Sequence, residues 1–332
     1  MINEATSLLE TGQVKTNFNY ILIDEFQDIS QSRFKFLKTL QQNSGAKLFC
    51  VGDDWQAIYR FTGGDVSLMT HFQDYFEPSE KLKLDKTFRF NSGILDVSSR
   101  FITQNTAQLK KELVTDYITT IPTVTLKWAK KGDKIEECLS LIEEFHNEKE
   151  NLVFILGRYR QNSFFDLEQL RKDHPGLEIE FHTVHGSKGL EADYVILVEV
   201  NGGVKGFPCL IEDDPLLSLV LSRAEEFPNA EERRLFYVAL TRARKGVYLI
   251  SDLVNPSDFI EEMIKDQYPI NYNSDSKNIP NCPICLRGKM MPAYGRFGPY
   301  HRCSNHPLCK YSRNTLLETR PLNQRSYRSK RR

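Results

Sequence analysis

Residues 20–28, Tyr-Ile-Leu-Ile-Asp-Glu-Phe-Gln-Asp, run from four apolar residues directly into two adjacent acids. The apolar run from Tyr20 to Ile23 predicts a strand, with Asp24 and Glu25 at its carboxyl end. In parallel α/β sheets, ligands bind along the edge formed by these carboxyl ends. Two carboxylates there suit a Mg²⁺-nucleotide, since one can hold the metal while the other orients and deprotonates an attacking water. An acid-rich helix N-terminus, favoured by the helix dipole, is an alternative interpretation of the same residues.

Strand and helix patterns alternate along the chain up to about residue 265. A helical pattern over Gln31 to Gln41 is followed by a strand at Lys47 to Val51. Further strand-length segments lie at Thr123 to Trp128, Leu152 to Leu156, Glu178 to Thr183, Tyr194 to Val200 and Val247 to Ser251. Strands that alternate with helical stretches predict an α/β fold built on parallel sheets.

The composition is typical of a globular protein of the cytoplasm. With 332 residues, 40% of them apolar, the chain is long enough for two or three globular units. Its apolar runs have only strand length, and no signal peptide precedes them. We therefore expect a cytoplasmic location and no membrane partner.

Charge is unevenly distributed, although the formal net charge is zero. Residues 280–332 contain twelve Lys and Arg and one acid, Glu318, so the preceding residues carry the balancing negative charge. A basic segment of this kind is typical of proteins that bind nucleic acids, and also of solvated, disordered chain ends.

Five segments resemble motifs of the UvrD/Rep family of superfamily 1 DNA helicases, and they occur in the family's order. Asp24 to Asp28 and Gly52 to Gly63 resemble motifs II and III. Thr87 to Phe90 resembles motif IV. Motif V is similar to Thr183 to Glu191, and motif VI is similar to Glu231 to Ala243. The resemblance covers about residues 1 to 251 and implies RecA-like motor domains that hydrolyse ATP with Mg²⁺ and move 3′ to 5′ on single-stranded DNA.

The resemblance implies an ATP site divided between two motor domains. Asp24 and Glu25 take the metal and general-base roles, and Gln56 senses the γ-phosphate. Arg89 and Arg242 correspond to arginines that stabilise charge on the transferred phosphoryl group, a task that suits the planar guanidinium. Two further residues are assigned to the nucleotide: Phe88, in place of the family's usual tyrosine, stacks on the adenine, and Glu191 meets the ribose or γ-phosphate region.

DNA contacts are implied for four residues of motifs III and V. Tyr59 and Phe61 match aromatic residues, of which the second stacks on a base, and stacking ignores base sequence as a translocating motor requires. Thr183 and His185 match positions near the DNA backbone. Thr62 departs from the pattern, because the family often has an arginine there.

A phosphate-binding loop of the form Gly-x-x-x-x-Gly-Lys-[Ser/Thr] does not occur in the sequence. The lysine and backbone N–H groups of such a loop bind the β- and γ-phosphates. We therefore expect a fragment that lacks this loop and is inactive alone, with an N-terminal P-loop half as a partner. A half of a split helicase and a non-catalytic DNA-binding remnant are the alternatives, and the pathway stays open.

Four cysteines near the end of the chain have the spacing of a zinc site, Cys282-x2-Cys285-x17-Cys303-x5-Cys309. Four thiolates in two pairs suit tetrahedral Zn²⁺, with His301 and His306 as alternatives for one ligand. The segment also resembles the C-terminal zinc fingers of bacterial type I topoisomerases. That resemblance implies binding of single-stranded DNA through Arg296, Phe297, Tyr300 and Arg302. A structural zinc knuckle that only caps the chain is the alternative.

The motif order predicts five segments. Residues 1–80 form the C-terminal half of a first RecA-like domain, and residues 81–265 form a second one. A linker over 266–281 leads to the zinc finger at 282–318 and a basic tail at 319–332. Only 93 residues separate Arg89 from Thr183, too few for the large accessory domain of UvrD and Rep, so the chain is most similar to the helicase-IV-like branch.

Overall fold

The structure is a computed structural model. It describes residues 1–129, 134–145, 151–211, 225–272, 282–284, 290–295, 298–303 and 309–313. The chain divides into two compact units, residues 1–278 and 279–332. Most of the predicted linker, residues 273–281, and the whole predicted basic tail lie outside the described residues.

The first part of unit 1 is a small parallel sheet with helices on one face. Its elements are α1 (Ile2–Glu10), β1 (Tyr20–Ile23), α2 (Gln31–Ser44), β2 (Lys47–Cys50), α3 (Ser67–Thr70) and α4 (Phe72–Tyr75). β1 and β2 pair in parallel, with Tyr20 opposite Lys47. Ser30 caps α2 by accepting a hydrogen bond from the Arg33 backbone N–H, and Gly45 ends the helix in the left-handed conformation. Phe26, Phe34, Leu37, Leu68 and Phe76 form the core of this part.

A connecting region joins the two parts of unit 1. It contains β3 (Lys86–Thr87), α5 (Ser92–Ile102) and β4 (Val114–Thr115), with β3 and β4 paired in parallel. Asn91 caps α5 by accepting hydrogen bonds from the backbone N–H groups of Gly93 and Ile94. α5 packs with α8 (Ala230–Leu240), so this region is anchored on the second part.

The second part of unit 1 is a six-stranded parallel sheet in the order β10-β5-β9-β8-β6-β7. The strands are β5 (Val124–Trp128), β6 (Asn151–Gly157), β7 (Leu177–Thr183), β8 (Ala192–Leu197), β9 (Ala243–Ser251) and β10 (Asn271–Tyr272). The helices besides α8 are α6 (Ile135–Phe145), α7 (Leu167–Asp173) and α9 (Asp258–Lys265). The predicted α/β fold with parallel sheets is confirmed. No helix among the described residues is long and apolar enough to cross a bilayer.

Unit 2 is a three-stranded antiparallel sheet in the order β11-β12-β13. Its strands are β11 (Met290–Gly295), β12 (Gly298–Cys303) and β13 (Ser312–Arg313). The buried side chains of Cys282, Met290 and Cys303 form its small core, with Cys309 and Tyr311 packed against them. A core of this size is too small to stabilise a domain without a metal or a similar constraint.

Candidate functional site

The two acids that follow β1 lie exposed at the carboxyl end of the strand. Glu25 has a left-handed backbone with φ of 50°, which for a residue other than glycine costs about 1–3 kcal/mol and is found most often at functional sites. Its N–H donates to Asp24 Oδ1 at 2.8 Å, and Gln27 Nε2 donates to its carboxylate. The two carboxylates therefore lie next to each other at the carboxyl end of β1.

Lys188 connects these acids to the second part of unit 1. Its ammonium lies 3.2 Å from Glu25 Oε2, forms an ion pair with Asp28, and donates to the Gln56 carbonyl at 3.0 Å. The lysine side chain is only 7% exposed. Burial raises the pKa of Asp28, and the hydrogen bond from Lys188 opposes that rise. Sequence reasoning missed Lys188, although it lies within motif V.

A cleft of about 490 Å³ contains several of the predicted nucleotide residues. It is lined by Asp53, Gln56, Lys86, Thr87, Phe88, Arg89, Phe90, Leu113, Glu191, Tyr237 and Thr241. The Phe88 ring is largely exposed to solvent and therefore open to stacking, and Lys86 Nζ lies 5.0 Å from its centroid. Asp24 and Glu25 are not among the residues that line this cleft.

Glu191 lies between two arginines at this cleft. Arg89 Nε donates to Glu191 Oε2 at 3.0 Å, and Arg244 donates to Glu191 Oε1. Both bonds hold the pKa of Glu191 below its ordinary value, and the bond from Arg244 has the larger effect. A carboxylate held ionised in this way keeps Arg89 at the cleft wall. Arg244 was not predicted, although it lies directly after motif VI.

Arg242 is buried beside the cleft and reaches the first part of unit 1. Its Nη2 donates to Gln56 Oε1 at 3.2 Å, and the carbonyls of Val238 and Leu190 accept further hydrogen bonds from the guanidinium. Burial lowers the pKa of this guanidinium to about 10, so it stays charged at neutral pH. The Gln56 amide in turn donates to Asp53 at 2.7 Å. Arg242 and Gln56, which the sequence assigns to opposite sides of the ATP site, are therefore in direct contact.

Lys111 supports the same loop from the connecting region. It forms ion pairs with both Asp53 and Asp54, and its ammonium lies 4.9 Å from the centroid of the Trp55 ring. The Asp54 side chain is fully buried and also accepts a hydrogen bond from the Leu109 N–H. Lys111 therefore fixes the loop that carries Gln56. It lies outside the recognised motifs, so nothing in the sequence pointed to it.

Three predicted DNA residues form one aromatic cluster. The Phe61 ring lies 5.3 Å from His185 and 5.9 Å from Tyr59, centroid to centroid. Tyr59 also donates to the His185 carbonyl at 3.2 Å. Burial, and secondly the charge of Arg158, lowers the pKa of His185 to about 4, so this ring is neutral at pH 7. Thr183 ends β7, and its hydroxyl accepts a hydrogen bond from the Gly186 N–H at 3.1 Å.

Three of the four predicted zinc ligands lie together in unit 2. The sulfur atoms of Cys282, Cys303 and Cys309 all lie within 4.8 Å of one another, with 3.7 Å between Cys282 and Cys309. Tetrahedral zinc with Zn–S bonds of about 2.3 Å holds two sulfurs about 3.8 Å apart, so the cluster fits zinc. The fourth predicted ligand, Cys285, lies outside the described residues.

The predicted DNA residues of unit 2 are only partly within the described chain. Arg302 is half-buried in β12, and Tyr300 lies in the same strand, opposite Ala293. Arg296 and Phe297 lie outside the described residues.

Both parts of unit 1 match helicase families in a comparison with known proteins. Residues 1–77 match the family described as UvrD/REP helicase N-terminal domain, and residues 160–253 match the UvrD-like helicase C-terminal domain. DNA helicase IV of Escherichia coli K12 is 43% identical over 271 residues, which is 81% of this chain and 39% of that protein.

Two other matches extend over large parts of the chain. A probable DNA helicase of Mycoplasma pneumoniae is 24% identical over 299 residues, 79% of this chain and 54% of that protein. A crystal structure of the C-terminal domain of a possible DNA helicase from Lactobacillus plantarum WCFS1 has a TM-score of 0.35 at 16% identity, with 56% of this chain and 99% of that chain covered. The chain thus spans about two fifths of the length of helicase IV and about half of the Mycoplasma protein.

Proposed function

We propose that this chain, which belongs to the UvrD/Rep family of DNA helicases, supplies the arginine side and the catalytic acids of an ATP-driven motor. In this proposal the motor moves 3′ to 5′ along single-stranded DNA. The observation that carries the proposal is the hydrogen bond from Arg242 to Gln56, beside a cleft that Phe88, Arg89 and Glu191 also line.

The proposed chemistry is phosphoryl transfer to water. Glu25 accepts the proton of the attacking water, and Asp24 would hold Mg²⁺, which would neutralise charge on the phosphate oxygens. Arg242 and Arg89 stabilise the charge that develops on the transferred group, an effect worth roughly 10³ to 10⁵ in rate for such arginines. Phe88 stacks on the base, and Glu191 keeps Arg89 at the cleft wall.

The proposal includes a phosphate cradle from outside this sequence. The Lys and backbone N–H groups of a P-loop bind the β- and γ-phosphates, and no Gly-x-x-x-x-Gly-Lys-[Ser/Thr] occurs in the 332 residues. We assign that task to an N-terminal P-loop segment, either linked to this chain or acting as a partner. The alternative is a DNA-binding remnant that does not turn over ATP.

The test is a DNA-stimulated ATPase assay on the pure chain, with and without the P-loop-containing segment of E. coli DNA helicase IV. We expect no turnover by the chain alone and steady turnover by the mixture. Turnover by the chain alone would contradict the need for a cradle. A mixture that forms a complex but hydrolyses no ATP would instead identify the chain as a DNA-binding remnant.

The cysteine cluster supports a second function, a zinc-dependent site for single-stranded DNA in residues 282–318. Zinc bound by Cys282, Cys303, Cys309 and Cys285 would supply most of the folding free energy of so small a unit. The basic residues of this segment would then bind phosphates, and their affinity would fall with added salt.

Metal analysis and chelation test this second function on the full chain. We expect one zinc per chain, and after chelation a loss of DNA affinity with the unfolding midpoint of unit 1 unchanged. Cys303→Ser should act like the chelator, whereas Cys138→Ser, at a buried cysteine of unit 1, should leave the zinc content intact. DNA affinity that survives chelation unchanged would mean that zinc does not organise the binding surface, and would assign the binding to the basic tail or to the aromatic cluster of Tyr59, Phe61 and His185.

A further inference from the structure

Residues 108–111 of the connecting region hold the loop at residues 53–56 of the first part. The Leu109 N–H donates to Asp54 Oδ2 at 2.8 Å, and Trp55 Nε1 donates back to the Leu109 carbonyl at 3.0 Å. The side chains of Asp54 and Trp55 are both fully buried. Because the partners are 55 and 54 residues apart in sequence, the contact joins two distant segments of the chain. We call residues 108–111 the clamp.

Lys111 supplies the positive charge of the clamp. Its ammonium lies 2.6 Å from Asp54 Oδ1 and also forms an ion pair with Asp53 Oδ1. A fully buried carboxylate such as that of Asp54 is costly without a cation, so the lysine stabilises the loop. The side chain of Asp53, by contrast, is 31% exposed and lines the cleft. Lys111 therefore compensates one buried carboxylate and one carboxylate at the cleft.

The contacts continue from Asp53 to Gln56. Gln56 Nε2 donates to Asp53 Oδ2 at 2.7 Å, while Gln56 Oε1 accepts a hydrogen bond from Arg242 at 3.2 Å. A side-chain amide has one donor group and one acceptor atom, so these two partners determine the direction in which the amide points. Lys111 holds the other oxygen of Asp53 and does not itself line the cleft. Its effect on the cleft is therefore transmitted by Asp53.

The clamp also adjoins the side of the cleft that we assign to the base. Leu113, two residues after Lys111, lines the cleft. β4 follows directly and pairs with β3, which ends one residue ahead of Phe88. One short segment of the connecting region thus holds the loop at residues 53–56 and supports the strand that leads to the stacking ring.

We propose that Lys111 is a positioning residue of the ATP site, which sets the direction of the Gln56 amide through Asp53 without touching the nucleotide. This inference rests on the proposed function, because it concerns the same cleft. Removal of the ammonium leaves Asp53 and Asp54 without the cation that they share. The repulsion between the two carboxylates then moves Asp53 from its position beside the amide.

The side-chain amide signal of Gln56, in an NMR spectrum of the full chain, tests the positioning. The signal is identified by its absence from Gln56→Ala. We expect it to shift in Lys111→Met and to return toward the wild-type position in Lys111→Arg, which keeps the charge. Lys35→Met is the matched control, because Lys35 pairs with Glu10 at the surface, and it should leave the signal in place.

Steady-state kinetics of the mixture with the P-loop segment give a second readout. Lys111→Met should lower kcat about 10-fold and change the KM for ATP less than about twofold, because the contact acts on charge that develops in the transition state. In a chain that already carries Gln56→Ala, Lys111→Met should cause no further loss, since both changes act on the same amide. A purely structural role of the lysine would multiply the two losses and overturn the inference.

A second variant covers the case in which Lys111→Met does not fold. Lys111→Met combined with Asp54→Asn leaves no unpaired charge at the buried position, and the Gln56 signal should shift in it as well. A signal that stays in place in the folded variant would overturn the inference. If the signal shifts but the wild-type mixture hydrolyses no ATP, the positioning by Lys111 stands and the proposed function fails. If the mixture is active and the signal stays in place, the proposed function stands and this inference fails.

Discussion

The two parts of unit 1 both use parallel strands, but they bury them to very different degrees. In the six-stranded sheet, β8 is buried at every position except one, and β6 likewise. In the first part, exposed and partly buried residues alternate along β1 and β2. The second part therefore forms a complete core from its own sequence, whereas the first part depends on other surfaces for burial.

Contacts from the second part provide some of that support. Arg234, which is 2% exposed, donates to the Ala57 carbonyl, and Tyr237 packs edge-on against Trp55 with 5.5 Å between the ring centroids. Arg242 and Lys188 reach the same region of the first part. Arg242, which we assign to ATP chemistry, is thus also one of the residues that hold the two parts together.

The largest expected effect is at Glu25 of the first part. In the mixture with a P-loop segment, Glu25→Gln should lower kcat by roughly 10²- to 10⁴-fold, because the amide cannot accept the proton of the attacking water. Nucleotide affinity should be unchanged in an equilibrium binding measurement. Glu10→Gln makes the same chemical change at a surface ion pair with Lys35 and should have no effect. Retained turnover in Glu25→Gln would remove this residue from the general-base role.

Arg242 of the second part should give the next largest effect. Arg242→Ala should lower kcat of the mixture at least about 10²-fold, with little change in DNA affinity, because the side chain acts on charge that develops in the transition state. Arg89→Ala should act in the same direction. Arg171→Ala is the control, since that arginine is 42% exposed and pairs with Glu168, and neither residue lines the cleft. If Arg242→Ala weakened DNA binding and spared kcat, this arginine would belong to the DNA groove.

Strands were predictable because their apolar runs are short and bounded by polar residues. Tyr20 to Ile23 was predicted at both ends, but α2 runs three residues beyond the predicted Gln41, to the point where Gly45 ends it. β9 begins at Ala243, four residues ahead of the predicted Val247. The prediction began too late because the charged Arg244 and Lys245 suggest a loop. In the structure these residues extend the strand along β8. Charged residues at strand ends therefore conceal ladder pairing from a hydropathy pattern.

Site residues were predictable only where a motif carried them. Gln56 and Arg242 were expected at one site, and they are in contact. The cations Lys111 and Lys188 were missed, because their partners in the loop at Asp53 and in the turn at Glu25 are distant in sequence. The sequence also did not predict that Tyr20, Leu22 and Phe49 are exposed, because apolar residues in a strand give no sign of which face has no covering element.

Lys188 tests the dependence of the first part on the second more directly. Lys188→Met should lower the free energy of unfolding by about 2 kcal/mol, less than the roughly 3–5 kcal/mol for one partner of a fully buried ion pair, because Asp28 remains slightly exposed. The measurement is urea unfolding of the full chain. Asp28→Asn in the same chain should recover part of the loss, since a neutral amide needs no cation. Simple additivity of the two losses would show that the pair is not coupled.

The smallest expected effect concerns His185, which belongs to the second part but contacts the aromatic side chains of the first. Its folded-state pKa is about 4, below the ordinary 6.5, so protonation is favoured in the unfolded chain. The stabilisation that follows from this shift is complete above pH 6.5 and is lost as the pH falls toward 4. At neutral pH the ring carries no charge and can contact DNA only as a neutral aromatic group.

His185→Gln should therefore change single-stranded DNA affinity by the same factor at every pH between about 6 and 8, because neither side chain is charged there. Fluorescence anisotropy of wild type and variant at three pH values measures this ratio and cancels the titration of other histidines. We expect the ratio to stay constant within about twofold, with the loss arising from the ring's contacts to Tyr59 and Phe61. A ratio that grows about tenfold toward pH 6 would mean that His185 is protonated on DNA, and that the two parts meet the strand through a charge rather than through an aromatic surface.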